Sequence, residues 1–162
     1  MSKTEKNLWQ AFAGESQANR KYLAFAAQAE KEGYGQAAKL FRAAAAAETI
    51  HAHAHLRALG VVGNTLDNLK AAVSGETEEF ENMYPQMITD AETEGNKAAR
   101  QSFTFANEVE KTHAALYQKA VDNIDSMESC DYYVCKVCGH THEKNAPEKC
   151  PVCGANQNAF FV

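Results

Sequence analysis

The sequence predicts an all-α four-helix bundle followed by a small, metal-bound β/loop domain, and three observations carry that prediction. Twenty-six of the 29 alanines lie before residue 121, and the first of only three prolines is Pro85, so long helices are permitted over most of the chain. Apolar residues in that stretch recur at helical spacing, and glycines at positions 33, 60 and 95 punctuate it. Four of the five cysteines lie after residue 130, in two C-x-x-C pairs.

The first helix is expected from Thr4, as its cap, to Glu32, with Leu8, Phe12 and Ala18 on its inner face; Gly33-Tyr34-Gly35 then breaks it. The second runs from Gln36 to Leu59 with Leu40, Ala44 and Ala47 inward, and Gly60 stops it. Thr65 or Asp67 caps the third, which reaches Glu94 and should kink at Pro85, where a backbone donor is missing and the ring crowds the preceding turn. The fourth covers Asn96 to Ile124, with Phe103, Ala106 and Val109 inward. Long helices joined by tight glycine turns make two helical hairpins. The change of composition near residues 125–130 divides the chain into a helical domain, 1–128, and a tail domain, 129–162. A tail of that size cannot bury enough surface to fold unaided, so it needs a metal staple.

With 16 Lys+Arg against 21 Asp+Glu in 162 residues, the net charge of −5 argues against a nucleic-acid surface. No apolar run approaches the ~20 residues that span a bilayer. The opening Met1-Ser2-Lys3-Thr4-Glu5-Lys6 is too polar for a secretion signal, so a cytoplasmic protein is expected. In a reducing compartment the clustered cysteines read as metal ligands before disulfides.

Two Glu-x-x-His units, Glu48 to His51 and Glu110 to His113, each place a carboxylate and an imidazole one turn apart on one helical face. Glu15 precedes Glu48 by 33 residues and Glu76 precedes Glu110 by 34, so each hairpin sets a further glutamate at nearly the same height. The halves look like a duplicated unit. Their neighbours are apolar, and carboxylates facing such a core are costly unless cations accompany them. Oxygen ligands with imidazole suit iron or manganese. This resembles the pattern of ferritin-like di-iron carboxylate proteins, with Glu79 one carboxylate more than the minimal set. His51 and His55 could also form an i, i+4 zinc pair, although surface histidines, His53 included, are the plainer reading. Glu78, Glu81, Glu92 and Glu94 are expected on solvated faces. Tyr22 and Tyr84 are either donors to metal-bound carboxylates or ordinary core aromatics.

Cys135-Lys136-Val137-Cys138-Gly139 and Cys150-Pro151-Val152-Cys153-Gly154 form two knuckles of a four-thiolate site. A zinc ribbon and a one-iron centre share this spacing. Tyr132, Tyr133, Phe160 and Phe161 would pack over either, and Cys130 is left over as a bystander thiol.

Taken together, Ala13-Gly14-Glu15-Ser16-Gln17-Ala18-Asn19, Glu48-Thr49-Ile50-His51, Gly75 through Phe80 with Met83-Tyr84-Pro85, Glu110-Lys111-Thr112-His113 and the cysteine tail resemble the rubrerythrins over nearly the whole chain. The resemblance implies a ferritin-like bundle with a rubredoxin-like tail. It implies that Glu48 and Glu110 bridge two irons, that Glu15 binds one and Glu76 with His113 the other, and that Glu79 and His51 are alternative ligands of the first. It implies one further iron on Cys135, Cys138, Cys150 and Cys153. The implied activity is that of a non-haem peroxidase reducing hydrogen peroxide, in defence against oxidative stress. Electrons would come from a redox donor, a rubredoxin or a separate NAD(P)H-dependent reductase, since no Gly-rich nucleotide loop is present. A ferroxidase or iron-storage protein and a zinc-ribbon interaction module are the other readings.

In a ferritin-like bundle the second and third helices run parallel. The connection expected at Gly60 to Leu66 reaches at most ~24 Å, whereas the climb needs roughly 32 Å. A swapped homodimer is therefore expected, the first hairpin of one chain packing with the second hairpin of another; an alternating up-down bundle would also satisfy the loop.

Overall fold

Ser2, and not Thr4, starts the first helix, α1 (Lys3–Lys31). The Ser2 hydroxyl accepts the Glu5 N–H at 3.1 Å while the Glu5 carboxylate accepts the Ser2 N–H at 3.2 Å. This reciprocal box needs Glu or Gln three residues past the cap, which Ser2 has and Thr4 lacks. The computed structural model describes residues 1–162 and divides them into two compact units, Met1–Gly63 and Asn64–Val162.

In the first unit α1 turns at Gly33, whose φ of 83° lies in the left-handed region. There the Gly33 N–H bonds the Glu30 carbonyl (3.0 Å) and the Tyr34 N–H bonds that of Ala29 (2.8 Å), closing the last helical carbonyls. The second helix, α2 (Gly35–Leu59), ends at Gly60 as expected. The two helices meet through alanines: Ala26, Ala29, Ala38, Ala45 and Ala52 are buried, the last three at seven-residue intervals. Small side chains let the backbones approach, and Asn19 Nδ2 donates across the gap to the Ala45 carbonyl (2.7 Å) and Thr49 Oγ1 (2.9 Å). Tyr22, Phe25 and Phe41 form an aromatic group, with ring centroids 5.6 to 6.3 Å apart.

The second unit opens on Asn64, whose side chain caps α3 (Thr65–Glu78) by accepting the Asp67 N–H at 2.9 Å. Thr65 and Asp67, the expected caps, lie in the first turn. At Pro85, where a kink is expected, the helix is interrupted by a π-helical turn, Glu79–Met83, leading into α4 (Tyr84–Thr93). Pro85 cannot donate, and its ring crowds the carbonyl four residues back; a widened turn relieves both problems. The π turn also explains a spacing. Gly33 to Glu48 and Gly95 to Glu110 are both 15 residues, but Glu15 to Gly33 is 18 and Glu76 to Gly95 is 19. A π turn holds one residue more than an α turn, so it absorbs the difference between 33 and 34.

Gly95 (φ 69°) repeats the Gly33 turn, with the Gly95 N–H on the Glu92 carbonyl and that of Asn96 on the Ala91 carbonyl. Asn96 then caps α5 (Lys97–Asp122) by accepting the Ala99 N–H at 3.0 Å. The tail is a three-stranded antiparallel sheet in the order β2-β1-β3: β1 (Tyr132–Cys135), β2 (Thr141–Glu143) and β3 (Phe160–Phe161). It rests on α5: Lys119 pairs with Glu143 at 2.6 Å, and a side chain at Gly139 would meet Val109.

Gly33→Ala and Gly95→Ala should each lower stability by ~1–2 kcal/mol, because alanine must enter the left-handed region there. Gly35→Ala, with open space where its Cβ would sit, should be neutral or slightly stabilising. Thermal unfolding of the three variants distinguishes these outcomes.

Candidate metal centres

Three groups of metal-ligating side chains converge: Glu15, Glu48 and His51; Glu76, Glu110 and His113; and Cys135, Cys138, Cys150 and Cys153. Within each, one donor atom per residue lies within 4.8 Å of the others, close to the spacing that ligands ~2.1 Å from a shared ion require.

In the first unit, α1 supplies Glu15 and α2 supplies Glu48 and His51, whose Nδ1 lies 2.8 Å from Glu48 Oε2. In the second, α3 supplies Glu76 and α5 supplies Glu110 and His113, with His113 Nδ1 2.6 Å from Glu110 Oε2. The two imidazoles differ in their freedom: the His51 side chain is 56% exposed and the His113 side chain 27%. His113 is held from its far side as well, Nε2 lying 3.0 Å from Thr141 Oγ1 on β2.

Glu79, in the π turn, stands beside this second group without joining its tight set. Burial, then the charge of Glu110, holds the Glu79 carboxyl above its ordinary range, and the same two causes in the same order raise Glu76. Burial with the charges of Glu79, Glu110 and Glu76 also pushes the Tyr84 phenol up. Tyr22 belongs to the aromatic group on α1 and α2 instead. His51 turns toward Glu48 and does not pair with His55, and His53 is exposed. Glu78, Glu81, Glu92 and Glu94 are exposed as expected, Glu78 bonding Asn82 and Glu92 meeting Arg100.

The four sulfurs answer the choice between disulfide and metal. Cys135 and Cys153 lie 3.7 Å apart, and Cys138 and Cys150 3.5 Å. A disulfide requires ~2.05 Å, whereas tetrahedral thiolates ~2.3 Å from an ion stand ~3.8 Å apart. Backbone donors turn toward sulfur: burial pushes Cys135 up, but the N–H groups of Cys138 and Val137 outweigh it and leave the thiol below its usual value. Burial dominates at Cys138 and Cys153 and raises both, against N–H donors from His140 and Ala155. The donor set and spacing fit one thiolate-bound ion. Cys130 stands outside this set.

Thr141 was not singled out in the sequence, nor was His140, which is buried with both ring nitrogens unpartnered. Nothing in the residue pattern marks either, since the Thr141 contact with His113 exists only once the sheet packs on α5.

Comparison with known proteins agrees with this arrangement. A family profile described as Rubrerythrin matches residues 6–121, and one described as the rubredoxin-like domain of rubrerythrin matches residues 133–161. Nigerythrin of Nitratidesulfovibrio vulgaris is 36% identical over 97% of this chain and 85% of its own length. Rubrerythrin-2 of Clostridium acetobutylicum is 35% identical over 93% of the chain and 91% of its own. Rubrerythrin of Porphyromonas gingivalis is 36% identical, covering 99% and 89% respectively. Among solved structures, fully reduced, all-ferrous nigerythrin superposes with a TM-score of 0.61 at 35% identity, over 99% of this chain and 87% of that one.

A carboxyl whose folded pKa is raised costs nothing below its unfolded value and destabilises the fold as pH rises through the folded one. Glu79→Gln should therefore modestly stabilise the metal-free protein at neutral pH, and the gain should vanish in acid. Unfolding curves of the metal-free wild type and variant across pH check this.

Proposed function

The chain belongs to the rubrerythrin family, and on that footing we propose that it is a non-haem di-iron peroxidase reducing hydrogen peroxide to water. The observation that carries the proposal is the presence, in one chain, of two converging Glu-x-x-His clusters and a four-thiol site. The residues fit the family's cofactors, a di-iron centre and one thiolate-bound iron. When bound, two ferrous ions would together supply the two electrons that, with two protons, reduce peroxide to water, and a thiolate-bound iron would return them singly.

The chain's own residues have distinct tasks in this reading. Glu48 and Glu110, each with a histidine one turn on, would contribute carboxylates to both ions. Glu15 would help hold one ion, and Glu76 with His113 the other. His51, exposed and without a second partner, and Glu79 would be alternative ligands of the first. Tyr84, kept protonated beside Glu79, Glu110 and Glu76, is placed to donate a hydrogen bond to the carboxylates. A ferroxidase or iron-storage role would use the carboxylates alone and leave the thiolate site without a task.

The remaining elements of the proposal follow from chemistry and chain length. The helical domain, 1–128, carries the di-iron ligands and the tail, 129–162, the thiolate site. A rubredoxin or a separate NAD(P)H-dependent reductase supplies electrons, in the cytoplasm; no helix is long and apolar enough to cross a membrane. The active form is a homodimer with exchanged hairpins. The connection of residues 60–64 reaches at most ~18 Å, whereas returning past Glu48 and starting α3 eleven residues before Glu76 requires roughly 33 Å. Glu15, Glu48 and His51 of one chain would then complete a site with Glu76, Glu79, Glu110 and His113 of a second.

Mixing the fully reduced protein with peroxide without oxygen should restore the ferric–thiolate absorption within the mixing experiment. In a Glu48→Ala/Glu110→Ala variant that recovery should slow by more than the ~100-fold that loss of an outer-shell partner costs. An unchanged rate would contradict the proposal.

A further inference from the structure

The two Glu-x-x-His units are alike in sequence and unlike in surroundings, and the difference lies in one hydroxyl. His113 Nδ1 faces Glu110 Oε2 at 2.6 Å, and its Nε2 faces Thr141 Oγ1 at 3.0 Å. The Thr141 hydroxyl lies in turn 3.3 Å from the Gly139 carbonyl, which it reaches as donor. A hydroxyl that donates to Gly139 accepts from His113 Nε2–H, and the proton shared between Nδ1 and Glu110 Oε2 at 2.6 Å is then the one a bound ion would displace. The chain of bonds ends in the first cysteine knuckle: Gly139 follows Cys138, and its own N–H bonds the Cys135 carbonyl at 2.8 Å. Thr141 is fixed in place by its pairing with Val134 and by the Cys135 N–H on the His140 carbonyl at 2.9 Å. Both of those contacts belong to the strand that carries Cys135.

We propose that Thr141 is a positioning residue that fixes the tautomer and direction of His113, and that it couples metal loading of the Cys135–Cys138–Cys150–Cys153 site to metal affinity at Glu76, Glu110 and His113. An ion on the four thiols orders the knuckle, the knuckle places Gly139 and Thr141, and Thr141 presents His113 Nδ1 to its ion. Linkage makes the effect reciprocal. His51 has no such partner, so the coupling acts on one half of the carboxylate set. The inference deepens the di-iron reading and rests on it for the identity of the ligands, but peroxide reactivity does not enter its test.

Zinc, diamagnetic and accepted by both donor sets, is the probe. With the thiol site filled first, zinc affinity of the carboxylate–histidine set is measured by competition with a chelator for wild type, Thr141→Val and Thr141→Ser. Loss of this outer-shell bond should weaken binding ~10–100-fold in the valine variant, with the serine variant close to wild type. Wild type with the thiol site empty should show the same direction of change as the valine variant. Imidazole proton–nitrogen spectra of zinc-loaded wild type should show His113 bound through Nδ1 with a solvent-protected Nε2–H, a readout that needs no variant. Unchanged affinity in Thr141→Val with a filled thiol site, equal affinity whether or not that site is filled, or coordination through Nε2 would each overturn the proposal.

Discussion

Gathering carboxylates onto facing apolar helix surfaces is unfavourable in itself: burial strips them of water and each raises its neighbours' proton affinity. Glu76 and Glu79 carry that cost openly, held above the ordinary carboxylate range by burial and by Glu110. A sequence keeps such an arrangement stable only when cations accompany it, and the rest of the molecule is arranged around that need. Setting aside Glu15, Glu48, Glu76, Glu79 and Glu110 leaves as many acids as bases in the chain. The net charge is thus an internal property of the metal centre more than of the surface.

The duplicated hairpins answer the need with the same device, a left-handed glycine turn and ligands at a fixed height from it, then diverge in two places. The π turn at Glu79–Met83 adds one residue to the second hairpin and sets Glu79 beside Glu110 and His113. The small sheet on α5 clamps His113, while His51 is left exposed. One half of the ligand set is held and the other is free to rearrange.

Much of this was legible in the sequence because it rests on local rules. Alanine content, glycine stops and the 33- and 34-residue spacings located the four long helical stretches and grouped the ligands, and two C-x-x-C-Gly knuckles located the thiol site. Where the reading differed, the cause was a choice among nearby alternatives. Ser2 displaced Thr4 because Glu5 sits at the reciprocal position, Asn64 displaced its neighbours as cap, and the strain at Pro85 spread into a wider turn. Thr141 was out of reach for a different reason. Its role exists only once the sheet docks on α5, some 28 residues from His113, and no local pattern encodes that.

That hairpins from two chains complete each di-iron centre, as proposed, is tested most directly by complementation. Doubly tagged heterodimers are prepared from one chain carrying Glu48→Ala and another carrying Glu110→Ala, and their carboxylate-bound iron is counted. If hairpins are exchanged, one centre gathers both lesions and the other none, so the heterodimer should hold half the wild-type di-iron content although neither parent homodimer holds an intact centre. A heterodimer as empty as its parents would contradict the account.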